Sequence, residues 1–379
     1  MLSSGGPRRS GSGWTRRGLL SLSPFVPAAL CADLRVSPSE RVKYADPATE
    51  LDVFRLTSPE HSALLAPPAC RSMPKRGNYL LHASDRGGAW QIYALDLKNY
   101  QNRQITEASA LQSGAFTLTP DDRGVLYVDG DSLYRTQTNG GKPQPLYRFE
   151  TAPPAVPELA AIPDGPSALA VDGIKLVRIP FVKANPTTIV SNKEGIHDLM
   201  PRPRRAAILY RSNDNALWLV TLDGSRNTHL KTAAAPLGPA RWSPDGRTVI
   251  YLHKPAERTK PTLLRELDPD TGEDKVVGIT SQYAQFSPNS DASVFVGASA
   301  SLAGPYVLLL VRAVKRELTL CEHKASDPAL TKPVFSPDSQ RIFFQSDRHG
   351  KPAIYSMAVE KLVEKTEEEE EERHPSKTP

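Results

Sequence analysis

Few side chains in this chain stand at spacings that make or break bonds. The clearest charged unit is an Asp-Arg pair that occurs twice, Asp85 with Arg86 and Asp347 with Arg348. A carboxylate beside a guanidinium can orient a proton acceptor, but short acids also bond turn amides and a guanidinium can cover a sheet edge. Because the pair recurs at the same place in a repeated unit, the structural use is the expected one. Thiols could pair, attack or bind zinc. Of the three present, Cys31 falls in a leader-like segment, while Cys70 and Cys321 fall in repeat units that are not neighbours. That placement speaks against a disulfide and against a metal motif. No nucleophile elbow, phosphate loop or zinc spacing occurs, so a hydrolase triad is set aside.

The elements that would position any site follow from a repeat. A turn built on Pro-Asp, or a relic of it, recurs at Pro74, Pro120, Pro163, Pro203, Pro244, Pro288 and Pro337. Its best copies read Trp242-Ser243-Pro244-Asp245-Gly246 and Phe335-Ser336-Pro337-Asp338-Ser339. Proline presets φ for the first corner of a tight turn, and Asp, Asn or Gly accepts the second. Short apolar runs follow, such as Val249-Ile250-Tyr251 and Ile342-Phe343-Phe344. Several short strands per repeat of this length predict an all-β, seven-bladed β-propeller. The third unit is the most eroded, resting on Pro163-Asp164-Gly165 and the run Ala168 to Val171.

Closure is legible too. The last repeat lacks its own outer strand after Val359, and Asp52-Val53-Phe54-Arg55-Leu56-Thr57 resembles the outer strand Arg103-Gln104-Ile105-Thr106 of the first. The N-terminal segment is therefore expected to complete blade 7 and remove its open edge.

Bulk properties agree. Apolar residues make up 39% of 379, with 35 prolines and 24 glycines, which suits many short strands and turns. A net charge of +5 allows attraction to an acidic ligand or an anionic envelope surface. No basic run is interleaved with aromatics, so nucleic acid is not an expected partner. Residues 1–32 read as an export signal: Arg8, Arg9, Arg16 and Arg17 precede the apolar stretch Leu19 to Leu30 and Cys31-Ala32. Thr15-Arg16-Arg17-Gly18-Leu19-Leu20 is similar to a twin-arginine signal, which points to a periplasmic or extracellular protein. The apolar stretch is too short to span a bilayer. Residues 33–363 form the propeller, and 364–379, with six consecutive acids from Glu367 to Glu372, form a disordered acidic tail. A monomer is expected.

The units Ser84-Asp85-Arg86-Gly87 to Leu97 and Phe335-Ser336-Pro337-Asp338 to Tyr355 resemble TolB-type propeller repeats. Together with Asp46-Pro47-Ala48-Thr49 and Leu320-Cys321-Glu322-His323, the whole mature chain resembles the oligogalacturonate lyase family of seven-bladed propellers. The resemblance implies β-elimination of short oligogalacturonates in pectin breakdown, with a manganese-type ion holding a uronate carboxylate at the channel mouth. The family's Gln and His-x-His-Pro ligands correspond here to Asp327, Leu330 and Lys332. Its fifth-blade His-Glu before Trp is replaced by Pro239-Ala240-Arg241-Trp242, and its His-Glu-Gly by Arg211-Ser212-Asn213. Only His197, in Gly195-Ile196-His197-Asp198, matches a family channel histidine. No metal is therefore expected unless the family site survives in another form.

Lys332, Arg211 and Arg241 put cations where the family puts a metal or its ligands, and cations can hold a uronate carboxylate directly. The first reading is thus an exported, metal-independent propeller binding an acidic oligosaccharide through Lys332, Arg211, Arg241 and His197, with Trp242 as a possible sugar platform. The second is an active lyase with His197 or Arg211 as base. The third is a TolB-like module that binds an envelope protein.

Overall fold

Each repeat carries its own folding instruction. In blade 5 the Ser243 hydroxyl donates to Asp245 at 2.6 Å and accepts from the Thr248 amide at 3.0 Å, across the turn that Pro244 begins. In blade 2 Thr119 does the same with Asp121, at 2.6 Å, and the Gly124 amide, at 2.8 Å. Blade 7 repeats the knot with Ser336, Asp338 and Arg341. The residue after the acid turns left-handed: Asp122, Gly246 and Ser339 have φ of 60°, 70° and 60°. Gly246 is required there, because a Cβ would lie 2.1 Å from the Pro203 carbonyl oxygen.

The computed structural model describes residues 36–232, 237–257 and 260–359. The expected export signal and the acidic tail lie outside these residues. All seven proline turns join the innermost strand of an antiparallel sheet to its second strand, and there are seven sheets among the described residues. The chain is a seven-bladed β-propeller. The eroded third unit is a full blade, with strands Leu159–Ala161, Ser167–Asp172, Lys175–Pro180 and Thr187–Ser191. Packing between blades is apolar. Leu159, Ala168 and Ala170 of blade 3, for example, share one buried cluster with Leu126, Val128 and Leu133 of blade 2.

Blade 7 is completed from the N-terminal side, as expected. Asp52–Arg55 pairs antiparallel with Ala353–Ala358, setting Phe54 opposite Ser356 and Arg55 opposite Tyr355. Two further strands were not anticipated. Val36–Ser37 adds a fifth strand to blade 1, pairing with Asn102–Gln104, and Val42–Ala45 adds a fifth to blade 7. The segment between them laces the two blades together. Arg86 makes a two-pronged ion pair with Glu40, at 3.2 and 3.1 Å, and the same carboxylate accepts from the Ser58 amide at 2.8 Å. Arg41 lies between the rings of Phe54 and Tyr100, 4.0 and 4.5 Å from their centres. The recurrent Asp-Arg pairs are structural: Asp85 accepts from the Ser62 amide, and Arg348 donates to Tyr44 and to the Glu322 carbonyl. Cys70 and Cys321 are both free thiols.

One buried histidine gives the fold a pH dependence. His82 is fully buried in blade 1, bonded through Nε2 to Asn102 at 2.8 Å and stacked on Tyr93. Burial, aided by the Arg86 charge, lowers its pKa to about 4. The unfolded chain, with an ordinary histidine near 6.5, then binds more protons than the folded one between pH 6.5 and 4. Stability from this residue is whole above that window and falls by about 3 kcal/mol across it as pH drops. Thermal melts of the His82→Gln variant should show a correspondingly shallower acid slope than the parent over the same window.

Candidate functional site

The inner strands surround a cavity of about 650 Å³ to which every blade contributes. Its wall brings together four of the five side chains singled out in the sequence: His197, Arg211, Arg241 and Lys332. Trp242 is elsewhere. Successive side chains of a strand face opposite ways, so with Arg241 on the cavity Trp242 turns into the core between blades 4 and 5. There its Nε1 donates to the Met200 carbonyl at 3.0 Å and Arg202 caps its ring. No Phe, Tyr or Trp is among the described residues lining the cavity, so Trp242 does not stand there as a sugar platform.

The four basic residues are not equivalent. Arg211 is spent on structure: Nε donates to Asp198 at 2.9 Å, one terminal nitrogen to Asn215 and the other to the Gly238 carbonyl at 2.7 Å. With every arm engaged and only 4% of its surface exposed, it ties blade 4 to blade 5. Its guanidinium is held in place by these bonds, and it has no means of accepting a proton.

His197 opens the strand His197–Pro201. Gly195, two residues before it, takes a left-handed φ of 79°, which glycine adopts without strain. His197 stays partly exposed, its Nε2 3.2 Å from the Ser212 carbonyl and its Nδ1 3.8 Å from Asp198.

Arg241 and Lys332 are different. Among the described residues neither has a carboxylate within ion-pair distance. Arg241 donates to the Gln285 side chain at 3.0 Å and to its neighbour's carbonyl, while its Nε is buried with no hydrogen-bond partner. Burial, with the like charge of Arg211, lowers its pKa to about 10, and the more distant Asp198 offsets this only in part. Lys332 follows the turn Pro328–Leu330, takes a left-handed backbone (φ 46°), and donates to the Leu65 carbonyl at 3.1 Å. Burial lowers its pKa as well. A lysine in this backbone region is uncommon, and such strain persists only where the surroundings enforce it. Here the Gln345 amide does so by bonding the preceding Thr331 carbonyl at 2.9 Å.

Sequence reasoning missed two acids on the same wall. Asp198, left-handed at φ 52°, pairs with Arg211. Glu158 accepts from the Leu199 amide at 3.1 Å, and burial raises its pKa. Cys70 also lines the cavity, its thiol donating to the Leu159 carbonyl and pushed up to about 12 by burial, which makes it a poor nucleophile. Its titration feels Glu158, Lys332 and Arg241, so these charges share one neighbourhood.

This donor set does not fit a divalent ion. Asp198 is neutralised by Arg211, Glu158 is biased toward its neutral form, and Arg241 and Lys332 would repel a dication. Asp327, at the corresponding ligand position, is exposed and caps the turn by accepting from the Ala329 amide at 2.9 Å. Leu330 has no donor atom in its side chain. Among the described residues no three His, Cys, Asp or Glu side chains converge as a metal would require.

The fold and site define a seven-bladed propeller with a cation-lined central cavity. The TolB beta propeller domain matches residues 204–376 of the chain. The oligogalacturonide lyase of Pectobacterium atrosepticum and the oligogalacturonate lyase of Dickeya dadantii are each 22% identical to it over 370 residues, covering 83% of this chain and 95% of theirs. Two solved structures share the fold. An oligogalacturonate lyase in complex with manganese superposes with a TM-score of 0.77 at 23% identity, over 85% of this chain and 97% of its own. The oligogalacturonate lyase of Vibrio parahaemolyticus gives 0.78 at 21% identity, over 86% and 98%. The chain is thus a propeller whose homologues are oligogalacturonate lyases.

Proposed function

We propose that the chain binds an acidic oligosaccharide of the oligogalacturonate class in the central cavity, and that Arg241 and Lys332 hold a uronate carboxylate without a metal ion. The observation that carries this reading is the pair of cations, on one cavity wall, with no described carboxylate within ion-pair distance of either. An anion would supply the missing compensation, including an acceptor for the orphaned Arg241 Nε. His197 and Gln285, on the same wall, would bond sugar hydroxyls. The relatives' names supply the ligand class. The notion of an exported protein, with residues 1–32 as its signal, belongs to the same reading. Among the described residues no helix is long and apolar enough to cross a membrane.

The depressed pKa of Lys332 favours a second reading, in which the site eliminates as well as binds. A neutral lysine amine would take the C5 proton, the C5–H electrons would form the C4=C5 bond, and the C4–O bond would break. The leaving oxygen would take a proton from solvent, and Arg241 would balance the charge growing on the carboxylate. The test is calorimetric titration of the purified chain with digalacturonate, with manganese and with a chelator, alongside ultraviolet absorbance of the 4,5-unsaturated product. Binding that survives the chelator without absorbance supports the first reading, and absorbance that survives it supports the second. Binding that needs manganese sinks the metal-free site. No binding at all overturns the ligand class and leaves an envelope protein as the partner to seek.

A further inference from the structure

The turn of blade 4 departs from the repeat. Where blades 2, 5 and 7 carry Thr-Pro-Asp or Ser-Pro-Asp, it reads Arg202-Pro203-Arg204-Arg205. This turn lies at the far end of the strand His197–Pro201 from His197, and so away from the central cavity. It borders a second cavity, of about 230 Å³, lined by Arg178, Arg202, Arg204 and Arg205, over an apolar floor that includes Ile162 and Ile208.

The arginines divide into one that builds and three that face a ligand. Arg202, 3% exposed, is locked to Asp270 at 3.1 and 2.8 Å and to the Gly246 carbonyl at 2.7 Å. Arg205 shares that single carboxylate at 3.1 Å. Arg178 bonds only the Ser167 hydroxyl, at 3.3 Å, and Arg204 has no ion-pair partner among the described residues. The acids nearby are Asp270, the exposed Asp164 on the rim and Asp245, whose charge feels Arg204, so four guanidiniums face three carboxylates.

We propose that this cavity is a second anion site, built for a tetrahedral phosphoryl dianion. Two arguments choose that chemistry. The volume is below the ~300–1,000 Å³ of pockets that enclose whole small molecules, so it suits a charged group rather than an entire ligand. Several guanidinium forks on one cavity offer more donors than the two oxygens of a carboxylate can accept, and a phosphoryl group supplies the further oxygens. The group is carried either by a soluble phosphate or by a lipid headgroup. The site is independent of any sugar bound in the central cavity.

Isothermal titration of the whole chain with inorganic phosphate at low ionic strength tests it, with acetate as the singly charged control. Phosphate should bind and acetate should not, and Arg178→Gln should weaken phosphate binding by about tenfold or more. Arg148→Gln, on the exposed edge of blade 2, makes the same change in net charge and should leave binding unaltered. If Arg178→Gln alters the melting temperature, the exposed Arg204→Gln serves instead. No phosphate binding, equal binding of acetate, or unchanged affinity in these variants overturns the site. Co-sedimentation with phosphatidic acid vesicles, but not with phosphatidylcholine, that is lost in the variant places the phosphoryl group on a lipid. Phosphate binding without vesicle binding places it on a soluble molecule.

Discussion

Replacing Arg241 by Met is expected to weaken digalacturonate binding sharply while leaving the fold as stable as before, or more stable. The two halves of that result come from one cause. Arg241 carries a partly buried charge with no described carboxylate within ion-pair distance and a buried Nε with no acceptor. Removing an uncompensated charge relieves desolvation that nothing repays, by about 1–3 kcal/mol. The same removal deletes a charge-assisted bond to the ligand, worth about 1.5–3 kcal/mol or roughly ten- to a hundredfold in affinity. Lys332→Met should weaken binding similarly. A side chain kept for structure would lose stability instead, as Arg211→Met should, since that change strands Asp198. Calorimetric affinity and thermal melts on the three variants separate these roles. Destabilisation by Arg241→Met with binding intact would end the assignment.

The second large effect concerns ring closure. Deleting residues 36–58 removes Val53, Leu56 and Thr57, all fully buried, along with the strand that covers Ala353–Ala358. Burial of Val53 and Leu56 alone is worth about 1.5–3 kcal/mol each, and blade 7 would regain a bare edge open to association. The expected result is a loss of about 5 kcal/mol or more, with aggregation during purification. Deleting residues 364–379 should change stability by no more than about 0.5 kcal/mol. Denaturant melts of the two truncations decide it, and equal stability would show that the ring closes by other means.

The sequence disclosed the blades because their signal is local chemistry. A Ser or Thr, a Pro and an Asp knot their own turn, and erosion at Pro163 left enough of it to count. The lacing strands escaped notice for the opposite reason. Val36 and Val42 are exposed, and nothing in the run from Val36 to Ala45 alternates. Their pairing follows from partners more than sixty residues away in Asn102–Gln104 and from Asp52–Arg55. In the site, Arg241 and Lys332 were found, whereas Glu158 and Asp198 were not. A positional rule would have found them: Glu158, Asp198, Pro239 and Lys332 each stand five residues before their turn proline, and each lines the cavity. Strand parity would likewise have removed Trp242, since it follows Arg241 directly and two neighbours cannot face the same side. What no local rule supplies is the partner of a charge. Arg211 and Arg241 look alike in sequence, and only the fold bonds Asp198 to one while the other feels that carboxylate from beyond ion-pair distance.

The clasp between Phe54 and Ser356 also sets a clock. The two residues are about three hundred positions apart, and a ribosome adding about 5–20 residues each second needs roughly 15–60 s to bring the second into being. For that interval Val53, Phe54 and Leu56 have no sheet to join, while six blades form beside them. Glu40, Arg41, Lys43, Asp52 and Arg55 put charge along the waiting segment, the kind of flanking charge that keeps an apolar strand from finding the wrong edge. The ring is therefore finished last by the part made first.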